Sequence, residues 1–280
     1  MSSVLKQTYK YFELIVVNDG STDSSVNQLT ELLDARIKLV HQDNLGVSAA
    51  RNRGVAEACS EYVCFLDADD EWDCDFLESI ASLMLDFPGA PLYSLRHRFE
   101  VDEHVYLAPN SLPHKFRGYI QDFFHASLQE GIVNSSNVAV SKRVLTSVGG
   151  FPEGVTVGED LIVWIRLALR GRFAYDNKPS LTIHCVGGEQ KDCRRLNVIP
   201  YPVEYYAHNK NELSGRRSLK KYVERIGLKH TANSFLQKEF RDGIRRAFAL
   251  AKINRCLGIL SLCIIAIPAP ILKYMRSSKR

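Results

Sequence analysis

Residues 12–25 read FELIVVNDGSTDSS and residues 62–70 read YVCFLDADD. In each, a short apolar, β-rich run (Phe12–Val17, then Tyr62–Leu66) stops on a cluster of Asp, Asn or Gly. Continuous apolar runs of this length fit strands buried on both faces, and the polar clusters are turns. Between them, residues 24–34 predict a helix, capped by Asp23 or Ser24, with Val26, Leu29, Leu32 and Leu33 at helical spacing. Ile37–His41 predicts a second strand and Gly46–Ala58 a helix with small residues at its start. Phe76–Met84 predicts another helix, and residues 2–8 look like the end of one. Strands alternating with helices imply an α/β fold, a mostly parallel mixed sheet with flanking helices. In such sheets ligands sit beyond the carboxyl ends of strands. Asp19 and Asp67–Asp70 both fall at such ends.

Further along, residues 88–118 are mixed, with four prolines. Residues 119–130 suggest a short helix, Val138–Ser141 a strand, and Arg143–Val148 a helix ending at Gly149-Gly150. Leu161–Leu169 is an amphipathic helix just after Gly158-Glu159-Asp160, Leu181–Val186 is a late strand, and 202–252 reads as one or two basic helices. With 280 residues, 45% hydrophobic and 24% charged, the chain can bury a normal core, which excludes general disorder. Its charge is uneven: residues 200–280 carry 17 Lys+Arg against 5 Asp+Glu, and residues 1–199 are net −8. The acidic part suits a bound cation and the basic part an anionic surface. Seven Cys with no C-x-x-C point to a reducing cytosol and no structural zinc. No long apolar run opens the chain, so no secretory signal is expected. Cys256–Leu272 is uncharged and flanked by Lys252, Arg255, Lys273 and Arg276. Its Pro268 and Pro270 suit partial insertion at a membrane surface better than a clean span.

Asp67 and Asp69 stand one residue apart on a turn after a buried strand, so both can face one cation. Magnesium and manganese take oxygen ligands and leave positions for substrate phosphates; the plain alternative is a solvated acidic turn. Asp19 can accept from a nucleobase N–H or a ribose hydroxyl, or can serve only in capping. Arg51, in GVSAARNRG (46–54), could hold a phosphate or base through its planar fork, or pair with the acidic turn. Asp160, at a helix start, could deprotonate an acceptor hydroxyl, or be favoured there by the helix dipole alone. Glu159 and Trp164 are placed as acceptor contacts or supports beside it. His184 could be a third metal contact or a core histidine.

Four segments together, QTYKYFELIVVNDGSTD, NLGVSAARNRG, YVCFLDADD and VGGFPEGVTVGEDLIVWIRLALRG, resemble glycosyltransferase family 2 over residues 3–190. The resemblance implies a GT-A-type nucleotide-sugar-binding domain over 1–195; the charge and periodicity of the remainder predict a helical, basic and apolar region over 196–280. It implies that Asp19, Arg51 and Asp67 bind the nucleotide, that Asp69 and the pair it belongs to bind manganese or magnesium, and that Asp160 is the catalytic base. Transfer would proceed by single displacement with inversion, from a nucleotide-diphosphate sugar to a glycan or lipid-linked acceptor. Placement is expected to be cytoplasmic, peripheral on the inner face of the plasma membrane, in cell-surface polysaccharide synthesis. The family usually opens with an inner strand of the type VSVIIPxYN, and this chain starts inside the helix that follows it. A sheet lacking an inner strand is expected to show apolar faces and unpaired backbone. An impaired pseudoenzyme, or a membrane-tethered nucleotide-sugar-binding module, is therefore the alternative. An aspartate-nucleophile phosphohydrolase would leave the upstream motifs unexplained. A nucleotidyltransferase would need a Gly-rich phosphate loop that is absent. A nucleic-acid partner would not account for the apolar run beside the basic one.

Overall fold

The computed structural model describes residues 1–22, 34–101, 103–185, 198–236 and 239–263. The helix expected over 24–34 with its cap, and Cys256–Leu272 beyond Cys263, lie outside the described residues. The chain divides into two compact units, Met1–Val155 with Glu159–Gly188, and Thr156–Gly158 with Glu189–Arg280.

The first unit runs α1 (Ser2–Leu5), β1 (Leu14–Asp19), β2 (Ile37–Gln42), α2 (Val47–Glu57), β3 (Tyr62–Cys64), β4 (Asp70–Trp72), α3 (Phe76–Asp86), β5 (Leu92–Val101), β6 (His104–Leu107), β7 (Arg117–Tyr119), α4 (Phe123–Ala126), a 3-10 turn (Ser135–Asn137), β8 (Val138–Ser141), α5 (Lys142–Ser147), α6 (Glu159–Ala168) and β9 (Ala174–Cys185). β1 and β2 pair in parallel. The others form a seven-stranded sheet in the order β3-β8-β5-β9-β4, with β6 on β5 and β7 on β9. β3, β5 and β9 share one direction; β8 and β4 oppose them. The fold is α/β with a mixed sheet and flanking helices, as expected, but antiparallel pairing takes a larger share than the sequence implied. Much of that share comes from β5, β6 and β7, drawn from residues 88–118.

The core explains these elements. α3 places Phe76, Ile80 and Leu83 on one face at helical spacing, all buried. They pack with Trp72, Tyr93, Leu95 and Leu181, and Trp72 stacks on Phe76 at 4.3 Å. β5 buries Leu92, Tyr93 and Leu95, then carries Arg96, His97 and Arg98. The two arginines are satisfied within the fold: Arg96 donates to the Ala108 carbonyl at 2.8 Å, and Arg98 pairs with Asp73. β9 bulges where Leu95 faces Asp176 but Arg96 faces Pro179. Proline, which has no N–H to give a ladder, is tolerated at such an irregularity.

Among the described strands, β1 pairs only with β2 and β3 only with β8. Between β1 and β3 lies a cavity of about 660 Å³, with residues 14–17 along one side, 62–66 along the other, and Ile80 and Met84 of α3 among its walls. Its walls are largely apolar, and the facing edges of β1 and β3 have no strand partner among the described residues.

The second unit holds α7 (Tyr201–His208), α8 (Lys210–Leu213), α9 (Arg217–Leu236), α10 (Phe240–Ile253) and α11 (Arg255–Cys263), so the stretch 202–252, read as one or two helices, divides into four. α9 and α10 approach closely because Gly227 faces Leu250 and Gly243 faces the Phe235 ring, where a Cβ would collide. Arg246 is buried, donating to the carbonyls of Val198 and His230 and to the Ser234 hydroxyl. No helix among the described residues is long and apolar enough to cross a membrane.

Candidate active site

Asp19 closes β1. Its carboxylate accepts from the backbone N–H groups of Leu45 and Gly46 at 2.9 Å each, and from Gln42 Nε2 at 2.8 Å. Burial pushes its pKa up, but these hydrogen bonds outweigh burial and hold it below the usual carboxylate range. Gly20 follows with φ +74, and a Cβ there would come within 2.9 Å of Asn44 N. Asp19 thus fixes the loop that opens α2. A carboxylate has about four acceptor positions, so a ligand donor can still be taken.

α2 points two consecutive side chains at other motifs. Arg51 donates from Nη2 to Asp67 Oδ1 at 2.9 Å, and its Nη1 lies 3.6 Å from Glu159 Oε1. The guanidinium sits 5.3 Å above the Phe151 ring. Asn52 clamps the backbone of Phe151, donating to its carbonyl at 2.8 Å and accepting from its N–H at 2.9 Å. Gly150 allows this: φ is +63, and a Cβ would stand 2.8 Å from Asn52 Oδ1. The sequence reading gave Asn52 no role; its place between Arg51 and Gly54 in the quoted motif was the available signal.

The acidic turn is held from behind by the 3-10 turn. Asp70 N–H donates to the Asp67 carbonyl at 3.0 Å. Ser136 Oγ accepts from Asp67 N–H at 3.1 Å and donates to Asp70 Oδ2 at 2.5 Å, while the Ser136 carbonyl accepts from Trp72 Nε1 at 2.6 Å. Reciprocal bonds between Asn134 and Asn137 lock that support. Nothing in residues 134–137 marked them in the sequence, because their role depends on contacts about 66 residues away. Asp67 is half exposed and Asp69 is exposed. Among the described residues, no three His, Cys, Asp or Glu converge on a metal position. Two exposed carboxylates fit magnesium or manganese, which use one or two carboxylates together with phosphates and water.

His184 lies one residue beyond the Asp70–Ile183 pair. Its Nδ1 is 2.8 Å from Glu100 and its Nε2 is 3.7 Å from Glu71. Glu159 and Asp160 begin α6 and diverge: Glu159 is 4% exposed and turned to Arg51, whereas Asp160 is half-buried and accepts from Leu161 N–H. The helix dipole favours both charges there. Trp164 is fully buried and edge-on to Phe151 at 6.0 Å. It supports that turn and has no face to offer an acceptor. Asp19, Asp67, Glu159 and the 149–151 turn therefore all attach to α2 or its entry loop.

Several known proteins resemble this chain. An uncharacterized glycosyltransferase of Rickettsia conorii is 30% identical over 201 residues, covering 67% of this chain and 30% of the relative. A putative teichuronic acid biosynthesis glycosyltransferase, TuaG of Bacillus subtilis, is 29% identical over 182 residues, covering 62% of this chain and 67% of the relative. Among solved structures, S. aureus TarS 1–349 in complex with UDP-GlcNAc superposes with a TM-score of 0.67 at 17% identity, covering 99% of this chain and 82% of that one. That likeness shows the fold, a GT-A glycosyltransferase fold. The chain spans about a third of the length of the first Rickettsia relatives. The sequence pattern described as glycosyl transferase family 2 matches residues 1–145, more than half of the chain. By that match the chain belongs to glycosyl transferase family 2.

Proposed function

We propose that this chain moves a sugar from a nucleotide-diphosphate donor to a hydroxyl of a glycan or lipid-linked acceptor, with inversion, in cell-surface polysaccharide synthesis. Residues 1–195 serve as the transfer domain and 196–280 as a helical region toward acceptor and membrane. Asp160 takes the acceptor proton as the hydroxyl attacks. Asp19 accepts from the nucleoside. Asp67 and Asp69 hold manganese or magnesium, which when bound neutralises charge on the departing diphosphate. Arg51 and Glu159 keep the acidic turn and the start of α6 in register, and His184 borders the turn from β9. Placement is peripheral, on the cytoplasmic face of the plasma membrane.

One observation carries the reading: Arg51 lies within reach of both Asp67 and Glu159, so the metal-type turn and the base-bearing helix start are linked through one side chain. The TuaG name supports the polysaccharide setting, and the UDP-GlcNAc complex of TarS supports a nucleotide-sugar donor. The test is a panel of nucleotide-diphosphate sugars with manganese, reading nucleoside diphosphate release and donor binding. Asp69→Ala should abolish release with little loss of folding, and Asp160→Asn should lower turnover while donor binding persists. Unchanged turnover in Asp69→Ala would remove the metal role. Loss of binding in Asp160→Asn would move that residue to the donor side. The cavity between β1 and β3 favours a second reading, a nucleotide-sugar-binding module without turnover. Donor binding with no release by the unsubstituted protein would select it.

A further inference from the structure

The packed side of α10 is Gly243, Arg246, Ala247, Ala249, Leu250 and Ile253. Three apolar residues face solvent instead: Phe240, Ile244 and Phe248, the last 62% exposed. Positions four apart differ by about 40° around a helix, so these three make one slanting stripe beside the packed side. Arg241, Arg245 and Lys252 are exposed along the stripe's far border. α11 meets α10 where Gly258 faces Ala251, and it exposes Ile259, Leu260 and Arg255.

Single exposed apolar residues are ordinary. A line of large ones with a cationic border is a pattern with a defined complement. Apolar side chains enter the acyl boundary of a bilayer while long basic side chains reach up to headgroup phosphates. The 17 Lys+Arg against 5 Asp+Glu in residues 200–280 supply the matching charge for an anionic leaflet. We propose that α10 docks on an anionic phospholipid surface through Phe240, Ile244 and Phe248, with Arg241 and Lys252 at the phosphates. This gives the membrane placement proposed above a specific surface, distinct from the 256–272 run. It rests on that placement and not on the transfer reaction.

The experiment is co-sedimentation of the whole protein with vesicles of phosphatidylcholine alone or mixed with phosphatidylglycerol, with no donor present. The protein should bind the mixed vesicles at least about tenfold more tightly than the neutral ones, and added salt should weaken binding. Phe240→Ser with Phe248→Ser, and separately Arg241→Glu with Lys252→Glu, should each weaken binding about tenfold or more. Their circular dichroism and melting should match the parent, as expected for exposed sites. Ile265→Asp, in the other apolar run, should leave most binding intact. The proposal is overturned if the parent does not bind, if neutral and anionic vesicles bind alike, or if only Ile265→Asp loses binding. It is also overturned if light scattering shows a self-associated species that the Phe240→Ser and Phe248→Ser pair dissolves. Donor release is measured separately, so failure here and failure of the transfer reading are distinguishable.

Discussion

His97 shows how a single residue can carry a pH dependence for the whole first unit. It sits on β5, 2% exposed, and its pKa is pushed down to about 4 by burial, which Glu130 opposes and Arg96 assists. The neutral ring is what the fold accommodates. The folded pKa is below the unfolded value of about 6.5, so the unfolded chain binds the extra proton first. The stability from keeping this ring neutral is fully present above about pH 6.5 and is lost as pH falls toward 4. A loss of order 2–3 kcal/mol across that window is expected. Urea unfolding at a series of pH values should show it, and His97→Gln should flatten the acid limb relative to the parent. An unchanged limb in that variant would assign the acid sensitivity elsewhere. The same residue illustrates the limit of sequence reading. A histidine between two arginines gave no sign of burial, because the groups that bind Arg96 and Arg98, the Ala108 carbonyl and the Asp73 carboxylate, are remote in sequence.

At the level of elements, β1, β2, α2, β3 and α3 were legible because each has a local signature: an apolar run with a polar stop, or apolar residues at a helical period. β5 and the first half of β9 were not. LYSLRHRFEV interrupts its apolar residues with Arg96, His97 and Arg98, and AYDNKPSLTIHC contains a proline and a bulge, so neither reads as an inner strand. The site followed the same division. Asp19, Arg51, Asp67, Asp69 and Asp160 could be named from their motifs, whereas Asn52 and Ser136 act only across tertiary contacts. Arg51 belongs to this scale, since it ties α2 to the acidic turn and to α6. Removing one partner of a buried ion pair typically costs about 3–5 kcal/mol. Here Asp67 is half exposed while Glu159 is buried, so Arg51→Met should destabilise the first unit by about 2–4 kcal/mol. Adding Glu159→Gln should recover part of the loss in denaturant unfolding. Equal stability of Arg51→Met and the parent would show that the ion pair contributes nothing to the fold.

Across the whole molecule, charge is divided as sharply as structure: the acidic residues that form the candidate site lie in the first unit, and the cationic helices form the second. That partition was visible in the sequence because charge counts need no contacts. The cavity between β1 and β3 was not legible in the sequence, because its walls come from strands and a helix far apart in the chain. Two ribbons of amide groups border a greasy floor made by Ile80 and Met84. Unpaired strand edges beside apolar walls are what an extended apolar peptide would need in order to pair there. Anilinonaphthalene sulfonate should brighten on the native protein, and a six-residue valine- and isoleucine-rich peptide, matching β1 in length, should displace the dye and raise the melting temperature. A native state that leaves the dye dark would mean the trough is closed in solution.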